Sequence, residues 1–565
     1  MASVSSTTSV VEALKAEANV LHGQGNYQGA YQKYSEAIKE KPKDPRVLSI
    51  LFANRAASCL AMKEYLDALS DGQKAAQTDP SYVKGWVRVA TAAHALGEWD
   101  VSSRAWTSAL KCLPSETDLS PAEAVLKAQF EDGLKAADAA DAKQKASVEG
   151  GKYHHEIPLS ASNDFPWMRA LALAEQGKLV KGDLPSSGFV ILNAYRDFIQ
   201  GITAMKQMVV KNVRGNVNVQ SSPSGLTFLS NGIIRDERVF HADSQFFDRL
   251  EKQTQFETRL TNAWGMVGPK QIEKEVPERL RKLGWLPVRR ALATTLRIWL
   301  LKGFFDSNTG ALNGGVEFYK RILDVLEWGR RTYPNVPSEE RGVIFEGSFV
   351  RGVRRLYIPA VLSLHLKNGD SCGYTLEDIR DLAEELKAET EASPRTPESY
   401  VDPGFYGSFW VYPVAEALSI IGWYHMQLGL RRVDKKQDFD PEADADFLKS
   451  SEYYIQAAEK YPTDDEKHPY FLAVAVDALW WGGAKLEVVL PLCRKIRAAM
   501  PEADAIWECS QMAKTNRNAN CRESILFLEK CEDEIAEGTL SLDMALAPSD
   551  LLERRIGKLA QIQDK

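Results

Sequence analysis

The stretch YLDALSDGQKAAQTDP, residues 65–80, decides how this chain is read, because its skeleton recurs on both sides. Tyr65, Ala68, Gly72, Ala75 and Pro80 are followed 34 residues later by Trp99, Ser102, Trp106, Ala109 and Pro114. They are preceded at an offset of 38 by Tyr27, Ala30, Tyr34, Ala37 and Pro42, as if four residues had been inserted near Pro45 to Ser49. A repeat of this length holds two helices and their turns, and the alternation of large residues with alanine lets paired helices approach closely. One such hairpin cannot bury its own apolar face, so three stacked units closed by a capping helix are predicted, with Ser120 to Ala146 as the cap.

Working outward, the composition shifts beyond Gly150-Gly151, which sets a first boundary. The reading divides the chain into a repeat domain with cap at 1–150, a linker and mixed region at 151–275, and a larger helical region at 276–565. The predicted fold class is all-α, with a degenerate helical-hairpin array after Pro277. Segments of that array are read at 288–304, 316–332, 338–366, 376–390 and 410–430, and continue at 444–461, 469–481, 486–500, 503–513, 522–537 and 549–562. Tyr333-Pro334, Tyr461-Pro462 and Met500-Pro501 are read as helix stops. Asn231-Gly232 between two apolar runs signals a small β-hairpin within 217–241, or equally an ordered surface loop.

Chemistry concentrates in the repeats. The first helix of each carries Lys15-x-x-x-Asn19, then Asn54-Arg55, then Lys84-Gly-Trp-Val-Arg88. This pattern resembles the dicarboxylate-clamp class of tetratricopeptide domains, over roughly the first quarter of the chain. The resemblance implies that Lys15, Asn19, Asn54, Lys84 and Arg88 form a peptide-binding set for the free C-terminus of a cytosolic heat-shock chaperone ending in Glu-Glu-Val-Asp. Ala61 and Ala95 depart from residues found in some members at the positions that read the tail upstream of its last Asp, so the resemblance does not choose between the seventy- and ninety-kilodalton chaperones.

Elementary geometry supports the same set. Lys15 and Asn19 are four apart, as are Lys84 and Arg88, so each pair projects from one helix face. Asn54 and Arg88 are 34 apart, hence equivalent in successive repeats. Stacking then lines one groove with three cations and two amides, which together donate many hydrogen bonds to carboxylates. Residues 1–115 hold 13 Lys and Arg against 11 Asp and Glu, while the whole chain is at −7, so the basic excess lies where an acidic peptide would dock.

Other functions find less support. The acidic balance and short basic clusters disfavour nucleic acid, and seven scattered cysteines without a CxxC pair suggest neither a disulfide nor a zinc framework. The start lacks a basic-then-apolar leader, and the longest apolar stretch, 471–492, is broken by Asp477, Lys485 and Glu487, so the expected location is cytoplasmic with no membrane contact. Signatures of nucleotide, metalloprotease, hydrolase and calcium sites are absent, so no catalytic residue, cofactor or metal is assigned. His154-His155, Ser393-Pro394 and Thr396-Pro397 read as loop residues, while Phe405, Tyr406, Phe409, Trp410 and Tyr412, with Trp480-Trp481, read as core. The expectation is a non-enzymatic adaptor or co-chaperone whose C-terminal helical region engages a second protein. Two rivals stand beside it: a docked enzyme after Pro166, favoured if that region holds a deep pocket with convergent pKa-shifted groups, and a scaffold that binds internal peptides.

Overall fold

In the computed structural model, residues 2–115, 119–149, 165–180, 184–213, 216–433 and 441–549 are described. The repeat becomes six helices: α1 (Ala2–Gly23), α2 (Tyr27–Lys39), α3 (Pro45–Ala61), α4 (Tyr65–Thr78), α5 (Val83–Ala95) and α6 (Trp99–Lys111). Each packs on the next, and α6 packs on the capping helix α7 (Pro121–Glu149). The three hairpin turns each use one left-handed residue two positions before the repeat-pattern aromatic: Gly25 at φ 80°, Lys63 at φ 58° and Gly97 at φ 73°. Lys63 bears the strain that glycine avoids in the other two.

The alanines and glycine picked out by periodicity are the contact points. Ala30, Ala37, Ala68, Ala75 and Ala109 are fully buried. A Cβ on Gly72 would lie 2.9 Å from the Val89 amide nitrogen, and one on Gly85 would lie 3.0 Å from that of Ala76, so α4 and α5 meet backbone to backbone. The cap closes the stack through Phe130, whose ring is 5.6 Å from that of Trp106, while Gly133 leaves room for the same indole. Ser120 and Glu123 cap its first turn reciprocally.

Packing draws two compact units that interleave along the chain: Met1–Glu156 with Ala242–Phe345, and Ile157–His241 with Glu346–Lys565. In the first, helices Phe246–Thr261, Pro269–Leu283, Trp285–Thr309 and Leu312–Thr332 join the repeats. They are tied to the hairpin turns and to α4. Lys270 pairs with Glu64, Lys302 with Glu98, Lys74 donates to Gln271 at 2.6 Å, and the Leu66 amide donates to Glu317 at 3.2 Å.

In the second unit, Tyr412–Arg432, Pro441–Lys460, Lys467–Trp481, Leu486–Trp507 and Asn518–Ala536 pack consecutively, each on its successor. Leu472, Val476, Leu486, Val489, Leu490, Ile496 and Leu528 form one of its cores. Phe409, Trp410, Tyr412, Trp480 and Trp481 are all buried in the second unit.

Several sequence expectations are corrected. The hairpin lies earlier, pairing Val209–Val213 with Asn216–Gln220 antiparallel. Asn231-Gly232 is inside helix Gly225–Arg235, because Gly232 serves close packing: a Cβ there would lie 2.7 Å from Phe198 Cβ. Pro277 is not a boundary but sits on the exposed face of helix Pro269–Leu283, where water can take the carbonyl its missing amide leaves. The same holds for exposed Pro501 within Leu486–Trp507, which merges two expected helices. The span 338–366 is broken instead at Gly342, φ 104°, into Ser338–Arg341 and Gly347–Asn368. Residues 550–562 and His154-His155 lie outside the described residues.

Candidate functional site

The five predicted residues stand on α1, α3 and α5, the first helices of the three hairpins. Asn19 and Asn54 are brought together directly. The Asn19 carboxamide oxygen accepts from Tyr34 Oη at 2.7 Å and from Asn54 Nδ2 at 3.3 Å, which leaves its own NH2 outward and the side chain exposed. Tyr34, a repeat-pattern residue on α2, thereby positions a groove amide.

Arg88 is half-buried, and its Nε is enclosed without a hydrogen-bond partner. Burial pushes its pKa down, opposed only by the Tyr82 phenol, so among the described residues this cation has no counter-charge. Lys84 is exposed and makes neither ion pair nor hydrogen bond among the described residues. Lys15 differs, because it pairs with Glu12 of its own helix at 2.6 Å, with side chains 22% and 49% exposed. A solvent-exposed pair of this kind is worth well under about 1 kcal/mol, so an incoming carboxylate competes with it readily.

Two further residues join the set. His22 lies on the Lys15–Asn19 stripe of α1, and its Nδ1 is 3.0 Å from Ser58 Oγ on α3. Burial and the Arg88 charge push its pKa down, which keeps the imidazole neutral. The signal for His22 was available as its spacing of three from Asn19; Ser58 carried none, being four after Asn54 among small residues of the helix contact. Arg55, adjacent to Asn54, is committed elsewhere. Its Nε and Nη2 hold Asp71 at 2.7 Å each, and Nη1 donates to Ser35 at 2.9 Å.

Elsewhere, no group of described residues could hold a metal ion, and no described helix is long and apolar enough to cross a membrane.

No family model matches the chain. It is 39% identical over 109 residues to the DnaJ homolog subfamily C member 7 homolog of Schizosaccharomyces pombe, which is 19% of this chain and 23% of that relative. The heat shock protein sti1 homolog of the same organism is 32% identical over 142 residues, 25% of this chain and 21% of the relative. Small glutamine-rich tetratricopeptide repeat-containing protein 2 of Saccharomyces cerevisiae is 36% identical over 104 residues, 18% of this chain and 29% of the relative. The chain thus spans less than a third of the length of these relatives, and part of it is similar to tetratricopeptide and heat-shock-associated proteins.

Proposed function

We propose that the chain is a cytoplasmic adaptor or co-chaperone whose repeat groove docks the acidic Glu-Glu-Val-Asp terminus of a heat-shock chaperone. Lys15, Asn19, Asn54, Lys84 and Arg88 hold the two terminal carboxylates, and the second unit engages another protein. The carrying observation is the uncompensated Arg88 guanidinium beside an unpaired Lys84 on a face whose amides already meet. A carboxylate would give the Arg88 guanidinium a counter-charge and offset its desolvation. The similarity to proteins named for DnaJ, heat shock and tetratricopeptide repeats supports the partner class.

Charge-assisted hydrogen bonds of about 1.5–3 kcal/mol each, offset by ordering a flexible tail, place the affinity near micromolar. Titration calorimetry of the full chain with a peptide ending in Glu-Glu-Val-Asp tests this. Lys84→Ala and Arg88→Ala are each expected to weaken binding by about 2 kcal/mol. Unchanged affinity in both variants would remove the reading.

A further inference from the structure

The second unit contains a cavity of ≈ 150 Å³ that the docking function does not use. Three helices enclose it. Gly347–Asn368 supplies Arg355, Ile358 and Pro359, Tyr412–Arg432 supplies Glu416 and Ile420, and Leu376–Ala392 supplies Leu386. Glu237 enters from the short turn Glu237–Val239, and Tyr461, Lys467 and Phe471 complete the wall around the start of Lys467–Trp481.

The polar groups here are unequally committed. Arg355 is saturated: its Nε and Nη2 hold Glu416 at 2.6 and 2.8 Å, and Nη1 donates to the carbonyls of Ser408, Arg235 and Ile234. Glu416 also accepts from Lys467 Nζ at 3.1 Å, and these cations hold its carboxyl down at about 2 despite burial. Lys467 therefore uses one of three ammonium hydrogens on this carboxylate. Tyr461 is fully buried, and its hydroxyl has no hydrogen-bond partner among the described residues. Glu237 is exposed and lines the same cavity, and desolvation by the surrounding protein raises its pKa.

With Glu416 matched to Arg355, the cavity is left with an ammonium and an orphaned phenol against a wall of Ile358, Leu386, Ile420 and Phe471. A cavity of this size takes a body no larger than about one benzene ring. We propose that it is a binding site for a small monocarboxylate with a compact apolar body. Lys467 and the Tyr461 hydroxyl hold the carboxylate, and the aliphatic wall holds the body. This inference stands independently of the repeat groove, since every lining residue belongs to the second unit.

The test is a ligand-observed NMR titration of the full chain with benzoate and isovalerate, against benzamide and benzylamine. A saturable carboxylate signal is expected, with benzamide weaker by about tenfold or more. Tyr461→Phe is expected to weaken benzoate about tenfold without lowering the melting temperature, because the hydroxyl has no internal partner to lose. Lys467→Met should abolish the signal, Arg355 still neutralising Glu416. The proposal is overturned by no saturation up to about 10 mM of either acid, by preferential binding of benzylamine, or by unaltered benzoate affinity in Tyr461→Phe and Lys467→Met.

Discussion

The groove of the first unit and the charge cluster of the second both gather cations, yet they treat them oppositely. In the cluster, Arg238 lies 2.7 Å from Asp236, 2.9 Å from Asp465 and 3.2 Å from Glu466, with its guanidinium 3.7 Å over the Trp507 ring. Tyr412 donates to the Asp465 oxygen that Arg238 also holds and Ser510 to the second Glu466 oxygen, so each buried acid is hydrogen-bonded from within. In the groove, Arg88 and Lys84 form no ion pair among the described residues. A matched cluster holds elements in place, whereas unmatched cations at a surface await an external anion.

Breaking the matched cluster has the largest effect. Arg238→Ala strands three buried acids, and chemical denaturation is expected to show a loss of about 3–5 kcal/mol. Next comes the buried acid left short of partners in the first unit. Asp67 is almost wholly enclosed, one carboxylate oxygen accepts nothing, and burial pushes its pKa up to about 7. Its folded pKa exceeds the unfolded value near 3.8, so the native state binds the extra proton and stability falls as pH rises from about 4 to 7. Asp67→Asn should remove about 2–4 kcal/mol of that fall, read from denaturation midpoints at pH 4 and pH 8.

Arg88→Met sharpens the contrast from the other side. With no internal partner to orphan, it should change stability by less than about 1 kcal/mol while losing peptide affinity. The smallest effect belongs to Glu12→Ala, which frees Lys15 and should tighten peptide binding by only about 0.3 kcal/mol. A stability loss in Arg88→Met comparable to that of Arg238→Ala would erase the distinction between the two regions.

What could be read beforehand follows the same division. The groove was legible because its chemistry rides on a repeat: equivalent positions recur at 34 or 38, and four-residue spacing puts Lys84 with Arg88 on one face. The Tyr34–Asn19 bond was hidden although both residues were singled out, since it joins two helices across a turn. The cluster had no such period. Asp236, Arg238, Tyr412, Asp465, Trp507 and Ser510 come from distant segments and meet only through packing. Prolines and Asn231-Gly232 misled for a related reason, because local turn chemistry yields where a proline faces water or a glycine admits a neighbouring helix.

A clamp of this kind recognises a chain end rather than acidic sequence in general. Titrating the full chain with one Glu-Glu-Val-Asp peptide in two forms, free acid and C-terminal amide, measures that directly. Micromolar binding of the acid with a loss of about tenfold or more on amidation is predicted. Equal affinity for the two forms would contradict it.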